Sequence, residues 1–141
     1  MSARLFLRVL AAVCCLCVIP AHAGTLFAVV TERAAPSAIE AAHRHLTRHP
    51  KDRILLRTPA QLMAAKEAEV ARWIGGADSV LAVSVFGDPA RRLKDAVERH
   101  ARTATQVLAL NGEATLSLMT RGRHGALQAF SPELLRQLSN E

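Results

Sequence analysis

The sequence predicts an α/β domain: an open parallel four-stranded sheet with flanking helices. Short apolar runs at 25–31, 53–57, 79–86 and 106–110 alternate with segments of helical apolar spacing. Alternation of that kind means parallel strands joined by crossover helices. The first and third runs are apolar throughout, not every second residue, as in strands covered on both faces. The chain has 141 residues, half of them apolar, which suits one domain with a real core.

The first strand is Thr25–Thr31, T-L-F-A-V-V-T. Glu32–Pro36 is the loop after it. Ser37 and Glu40 fit a capping box, and Ile39, Ala42 and Leu46 give the helix its apolar spacing. Pro50 stops that helix near His49. Arg53–Arg57 is the second strand. Thr58, Pro59 and Gln61 read as N-cap, N1 and N3 of the next helix, whose apolar face is Leu62, Ala65, Val70, Trp73 and Ile74, with a break near Lys66. Gly75-Gly76 closes it. Ser79–Phe86, S-V-L-A-V-S-V-F, is the central strand, expected to be buried on both faces. In the turn after it, Gly87 allows a sharp bend, Asp88 is the expected N-cap and Pro89 the first helical residue. Leu93, Val97, Ala101 and Ala104 form a narrow apolar stripe, and the basic residues off it, from Arg91 to Arg102, read as a solvated face. Gln106–Leu110 is the fourth strand and Asn111–Glu113 its turn. Ala114–Met119 fits a short helix or a strand, Arg121–Gly125 a loop, and Ser131-Pro132-Glu133 the start of a last helix, so the tail 114–141 is irregular. Right-handed crossovers and short loops favour the strand order 2-1-3-4, a flavodoxin-like or Rossmann-like half.

Residues 1–23 read as a cleaved signal peptide. Arg4 and Arg8 form a basic start, Val9–Ile19 is an uncharged apolar core, and Ala21-His22-Ala23 fits a signal-peptidase site. The core is well short of the roughly 20 residues that span a bilayer. The expected location is therefore exported and periplasmic, with no membrane span after cleavage. Cleavage removes Cys14, Cys15 and Cys17, the only cysteines. The mature domain, 24–141, then has no disulfide, no thiolate nucleophile and no Cys-ligated metal. Its net charge falls from +6 to about +4. A mildly basic chain attracts anionic ligands or surfaces. It has no basic block interleaved with aromatics, so nucleic acid is not an expected partner.

In open α/β sheets ligands bind beyond the carboxyl ends of the strands. Those ends bring together Thr31, Glu32 and Arg33; Arg57 and Thr58; Gly87, Asp88 and Arg91; and Asn111, Gly112 and Glu113. Arg33, Arg57, Thr58, Asp88 and Asn111 are the candidate ligand-binding residues, although caps and turns also account for Thr58, Asp88 and Asn111. An anionic ligand is expected near Arg33 and Arg57, where two loops open side by side and two helix starts add N–H donors. The chain has no dinucleotide glycine fingerprint, no P-loop and no nucleophile elbow, and Ser84 falls inside the expected strand. No catalytic residue and no cofactor is expected. His45 and His49 are four apart on one helix, but the glutamate of a zinc-helix motif is missing, and Arg44 and Arg48 repel a cation. Surface histidines, not a metal site, are expected.

The phrases L-F-A-V-V-T-E-R-A-A-P (26–36), A-A-H-R-H-L (41–46), R-I-L-L-R-T-P-A-Q-L (53–62) and G-A-D-S-V-L-A-V-S-V-F-G-D (76–88) resemble the N-terminal region of the cobaltochelatase large subunit, of the CobN and magnesium-chelatase H family. The likeness spans about residues 25–115. Members of that family insert a metal into a tetrapyrrole and are several times longer. The resemblance implies a shared first domain, contact with a tetrapyrrole or corrin precursor, or docking to the rest of a split large subunit. It does not make this chain a chelatase, and metal insertion is not expected of it alone. The alternative is a small envelope protein with a structural or interaction role and no ligand.

Overall fold

Four parallel strands, β1 (Thr25–Val30), β2 (Arg53–Arg57), β3 (Ser79–Val83) and β4 (Gln106–Leu110), lie side by side in the order β2-β1-β3-β4. The computed structural model describes residues 23–120. The rest of the expected leader, the loop Arg121–Gly125 and the helix opened by Ser131 lie outside them. The described residues hold five helices, in chain order α1 (Ala35–Arg48), α2 (Pro59–Ala64), α3 (Glu67–Gly75), α4 (Gly87–His100) and the single turn α5 (Ala114–Ser117).

The register sorts the side chains between the two faces. Phe27 pairs with Leu55 and Val80, and Val80 with Val107, so these four share one face. Leu62 of α2, Val70 and Ile74 of α3, and Leu93 and Val97 of α4 are buried against it. The other face carries Leu26, Ala28 and Val30, with Ile54, Leu56 and Leu81, and α1 lies over it. Handedness explains the split. The chain moves left from β1 to β2 and right from β2 to β3 and β4, and right-handed crossovers then put α1 on one side and the later helices on the other.

Several boundaries differ from the sequence reading. β3 stops at Val83, because Ser84 takes a positive φ of 54°. Only Val80 and Ala82 of β3 are fully buried, so the two-sided burial expected there belongs to β1, where Phe27 to Val30 are all buried. α1 starts at Ala35, without the Ser37–Glu40 capping box. The Thr31 carbonyl accepts from the N–H groups of Ala34 (3.0 Å) and Ala35 (2.9 Å), which winds the chain early. Pro36 then sits in the first turn, where a missing N–H costs nothing. α4 starts at Gly87 with Phe86 at its N-cap. Asp88 is therefore not a cap: it lies in the first turn and pairs with Arg91. α4 ends at His100, which leaves Ala104 exposed instead of on the apolar stripe.

The expected break at Lys66 is present. Ala65 and Lys66 are extended between α2 and α3. Arg92 bridges that break, donating from Nη1 to the Met63 carbonyl and from Nη2 to the Ala65 carbonyl, both at 2.6 Å. Arg102 donates to the Ala77 carbonyl (2.9 Å) and the Asp78 carboxylate (2.7 Å). Both arginines tie loops together; Arg92 is largely sheltered and so departs from the expected solvated face, whereas Arg102 stays exposed. At the end of α3, Gly76 caps the helix at φ −87°, without a left-handed turn.

Candidate functional site

The carboxyl edge of the sheet is laced together by its own residues. Thr58 caps α2 as the sequence predicts: its hydroxyl accepts from the Gln61 N–H (3.3 Å), and Gln61 Oε1 accepts from the Thr58 N–H (3.0 Å). Asn111 takes the left-handed conformation, φ 47°, and its Nδ2 donates to Ser84 Oγ (3.2 Å). The Ser84 N–H donates to the Leu110 carbonyl (2.9 Å) and the Glu113 N–H to the Val85 carbonyl (3.0 Å). Glu113 Oε2 accepts from the Gly87 N–H at the start of α4 (3.1 Å). Gly112 fits between these loops because a Cβ there would lie 3.0 Å from the Val85 carbonyl oxygen. Glu113 holds the helix start that the sequence assigned to Asp88.

Arg33 and Arg57 both lie at this edge but serve different faces. Arg57 shares the Phe27 face, because it pairs in register with Val29. Its guanidinium lies over the Trp73 ring of α3 and donates from Nη1 to the Leu56 carbonyl (2.8 Å). Arg33 sits in the loop into α1, which covers the opposite face. It is exposed, with no hydrogen bond or ion pair to another described residue. Of the five candidate residues, Arg33 is the one whose side chain is left open to a ligand. Arg57, Thr58 and Asn111 each hold part of the fold, and Asp88 is taken up in an exposed pair with Arg91.

A second concavity, more apolar than the one lined by Gly87, Arg91 and Glu113 at this edge, lies between α1 and the sheet. It has a volume of about 440 Å³. Leu26, Ala28 and Val30 of β1, Ile54 and Leu56 of β2, and Leu81 of β3 wall it on one side, and Ala38, Ala41 and Ala42 of α1 on the other. The cause is in the sequence. α1 turns alanines toward the sheet and buries none of its residues fully, and a methyl group leaves the space that a leucine would fill. The polar rim lies at the amino ends of the strands: Gly24, Thr25, His45, Asp52, Arg53, Asp78 and Ser79.

Asp52 organises that rim. Oδ1 accepts from the Gly24 N–H (2.9 Å) and Oδ2 lies 2.7 Å from His45 Nε2. These bonds, with the Gly24 bond the largest influence, hold the Asp52 carboxyl below the usual carboxylate range. Burial pushes the other way. Asp78, in the turn just before β3, mirrors this arrangement, with Oδ2 accepting from the Thr25 N–H (2.8 Å). The His45 and His49 rings stack, with centroids 4.6 Å apart. No group of three or more His, Cys, Asp or Glu among the described residues could hold a metal ion. No described helix is long and apolar enough to cross a membrane.

Sequence reasoning missed this cavity and the roles of His45, Asp52 and Arg53. The available signal was the alanine spacing at 38, 41 and 42 opposite three strands of large aliphatic residues. Compared with family models, curated proteins and solved structures, the chain matches none of them.

Proposed function

We propose that this chain is the binding domain of an exported chelatase-like protein. It takes a tetrapyrrole or corrin precursor against the sheet beneath α1 and carries out no chemistry alone. The observation behind this reading is the apolar cavity of about 440 Å³ with charged groups at one end only. A flat ring with carboxylate arms has the matching division: its apolar body suits the aliphatic walls, and an arm meets His45 at the rim. Ligand pockets of this size are typically apolar, with a few placed polar groups. The ligand class comes from the resemblance to the cobaltochelatase large subunit, and docking to the rest of a split large subunit belongs to the same reading. The ligand thus moves from the strand ends near Arg33 and Arg57 to the sheet face.

The test is calorimetric titration of the chain with a polycarboxylated porphyrin and with a corrin. Saturable binding is expected. Ala42→Trp, which fills the cavity from its helical side, should abolish it, while Arg33→Ala should leave it intact. Binding that survives Ala42→Trp but is lost in Arg33→Ala would return the site to the strand ends.

A second reading, an envelope interaction protein without a ligand, has its own observation. Phe86 at the start of α4 is 55% exposed and Leu118 just after α5 is 86% exposed. Absence of binding by every tetrapyrrole tested, with the fold intact, would favour it.

A further inference from the structure

We propose that cleavage between Ala23 and Gly24 does more than release a leader: it creates an α-ammonium group at Gly24 that forms an ion pair with Asp52. The chemistry is hydrolysis by a signal peptidase. Water adds across the Ala23–Gly24 amide, Ala23 leaves with the new carboxylate, and the Gly24 amine takes up a proton at neutral pH. The inference stands apart from the tetrapyrrole reading and needs only the processing site.

The geometry is already in place. The Gly24 nitrogen is 2.9 Å from Asp52 Oδ1. The Gly24 carbonyl accepts from the Arg53 N–H (2.8 Å), and the Thr25 carbonyl from the Asp78 N–H (2.8 Å). Gly24 is therefore fixed to β2 on one side, and Thr25 to the start of β3 on the other. Ala23, by contrast, is exposed, and no hydrogen bond ties it to another described residue. Among the described residues, anchoring thus starts just after the scissile bond predicted from Ala21 and Ala23.

Among the groups around this nitrogen, cations balance the carboxylates, so the direct bond to Asp52 is what favours an ammonium. From α1, His45 bonds the far oxygen of Asp52, and His49 stacks on His45. From β2 comes Arg53, and from the α3–β3 turn comes Asp78, whose carboxylate is shared with Arg102. Asp52 already serves the neutral amide. Replacing it with an ammonium turns an ordinary hydrogen bond into a charge-assisted one, which is shorter and about twice as strong. Because Gly24, His45, Asp52 and Arg53 all line the cavity, processing also sets the charge at its mouth.

The experiment expresses the full chain, with its own first 23 residues, in a bacterial host and purifies it from the envelope fraction. Intact mass should correspond to Gly24–Glu141. Competitive acylation of the Gly24 amine near neutral pH should run roughly three- to tenfold slower than in a free peptide of the same first residues, because pairing keeps the amine protonated. In Asp52→Asn the rate should return to that of the peptide. The peptide comparison needs only the wild type, so a variant that fails to fold still leaves a decisive reading. Retention of residues 1–23, cleavage at another bond, or an amine as reactive as the peptide's would overturn the proposal.

Discussion

The Arg57 guanidinium lies over the indole of Trp73, 4.9 Å from the ring centroid, and Trp73 stacks on Phe27 at 5.7 Å. This three-layer stack ties the end of β2 to α3 and the core of β1. Arg57 is therefore part of the fold before it is available to any anion. Arg57→Ala should lower the unfolding free energy by about 0.5–1 kcal/mol and change the Trp73 fluorescence. Arg57→Lys should recover only part of the loss, because a compact ammonium does not stack as a planar guanidinium does. Unchanged stability in Arg57→Ala would leave the stack without an energetic role.

Thr58 and Asp88 separate a cap from its imitation. Thr58→Ala removes a formed capping box and should cost about 1 kcal/mol, while Thr58→Ser should be near neutral. Asp88→Ala removes only an exposed pair with Arg91 and should stay within about 0.5 kcal/mol of wild type. Urea unfolding compares them directly. An Asp88→Ala loss as large as that of Thr58→Ala would mean that Asp88 supports the start of α4 in a way the Glu113 bond does not.

Much of the fold was legible because its signals are local. Thr58-Pro59-Ala60-Gln61 spells a cap in four residues, and the four apolar runs fall on the four strands in the expected order. The misreadings arose where a distant residue decides. Ser37 and Glu40 look like a capping box, but hydrogen bonds to the Thr31 carbonyl start the helix earlier. Gly87-Asp88-Pro89 looks like a capped start, but the acceptor for the Gly87 N–H arrives from Glu113, 26 residues away. The carboxyl edge was legible as a place, whereas the partners of Arg57 and Asn111 were not, because Trp73 and Ser84 reach them only through the fold. The cavity escaped notice because it depends on how far apart α1 and the sheet stand, and periodicity carries no distance.

Ser84 and Gly87 both have positive φ, 54° and 63°. At Gly87 an added Cβ would meet nothing within 4 Å. Gly87→Ala should therefore cost about 1 kcal/mol through backbone conformation alone. At Ser84 the usual order of Ala over Gly should invert. Ser84→Gly should be about 1 kcal/mol more stable than Ser84→Ala, since both lose the bond from Asn111 and only glycine loses the strain. Equal stabilities would contradict the left-handed geometry at the end of β3.

Asp52 sets an acid limit. Its folded pKa lies below the unfolded value of about 3.9. Such a carboxylate contributes stability that is present above the unfolded value and lost as the pH falls through the folded one. The unfolding free energy of the wild type should thus drop more steeply than that of Asp52→Asn as the pH falls below about 4. Denaturant titrations at a series of pH values measure both slopes. Parallel slopes would show that neither Gly24 nor His45 holds the carboxylate.

The proposed ligand site lies between α1 and the sheet. Amide chemical-shift mapping during titration with a polycarboxylated porphyrin tests it most directly. The shifts should cluster on Leu26, Ala28, Ala42, His45, Ile54 and Leu81, with little change at Arg33, Ser84 and Asn111. Shifts confined to Arg33, Ser84 and Asn111, with the residues beneath α1 unmoved, would contradict it.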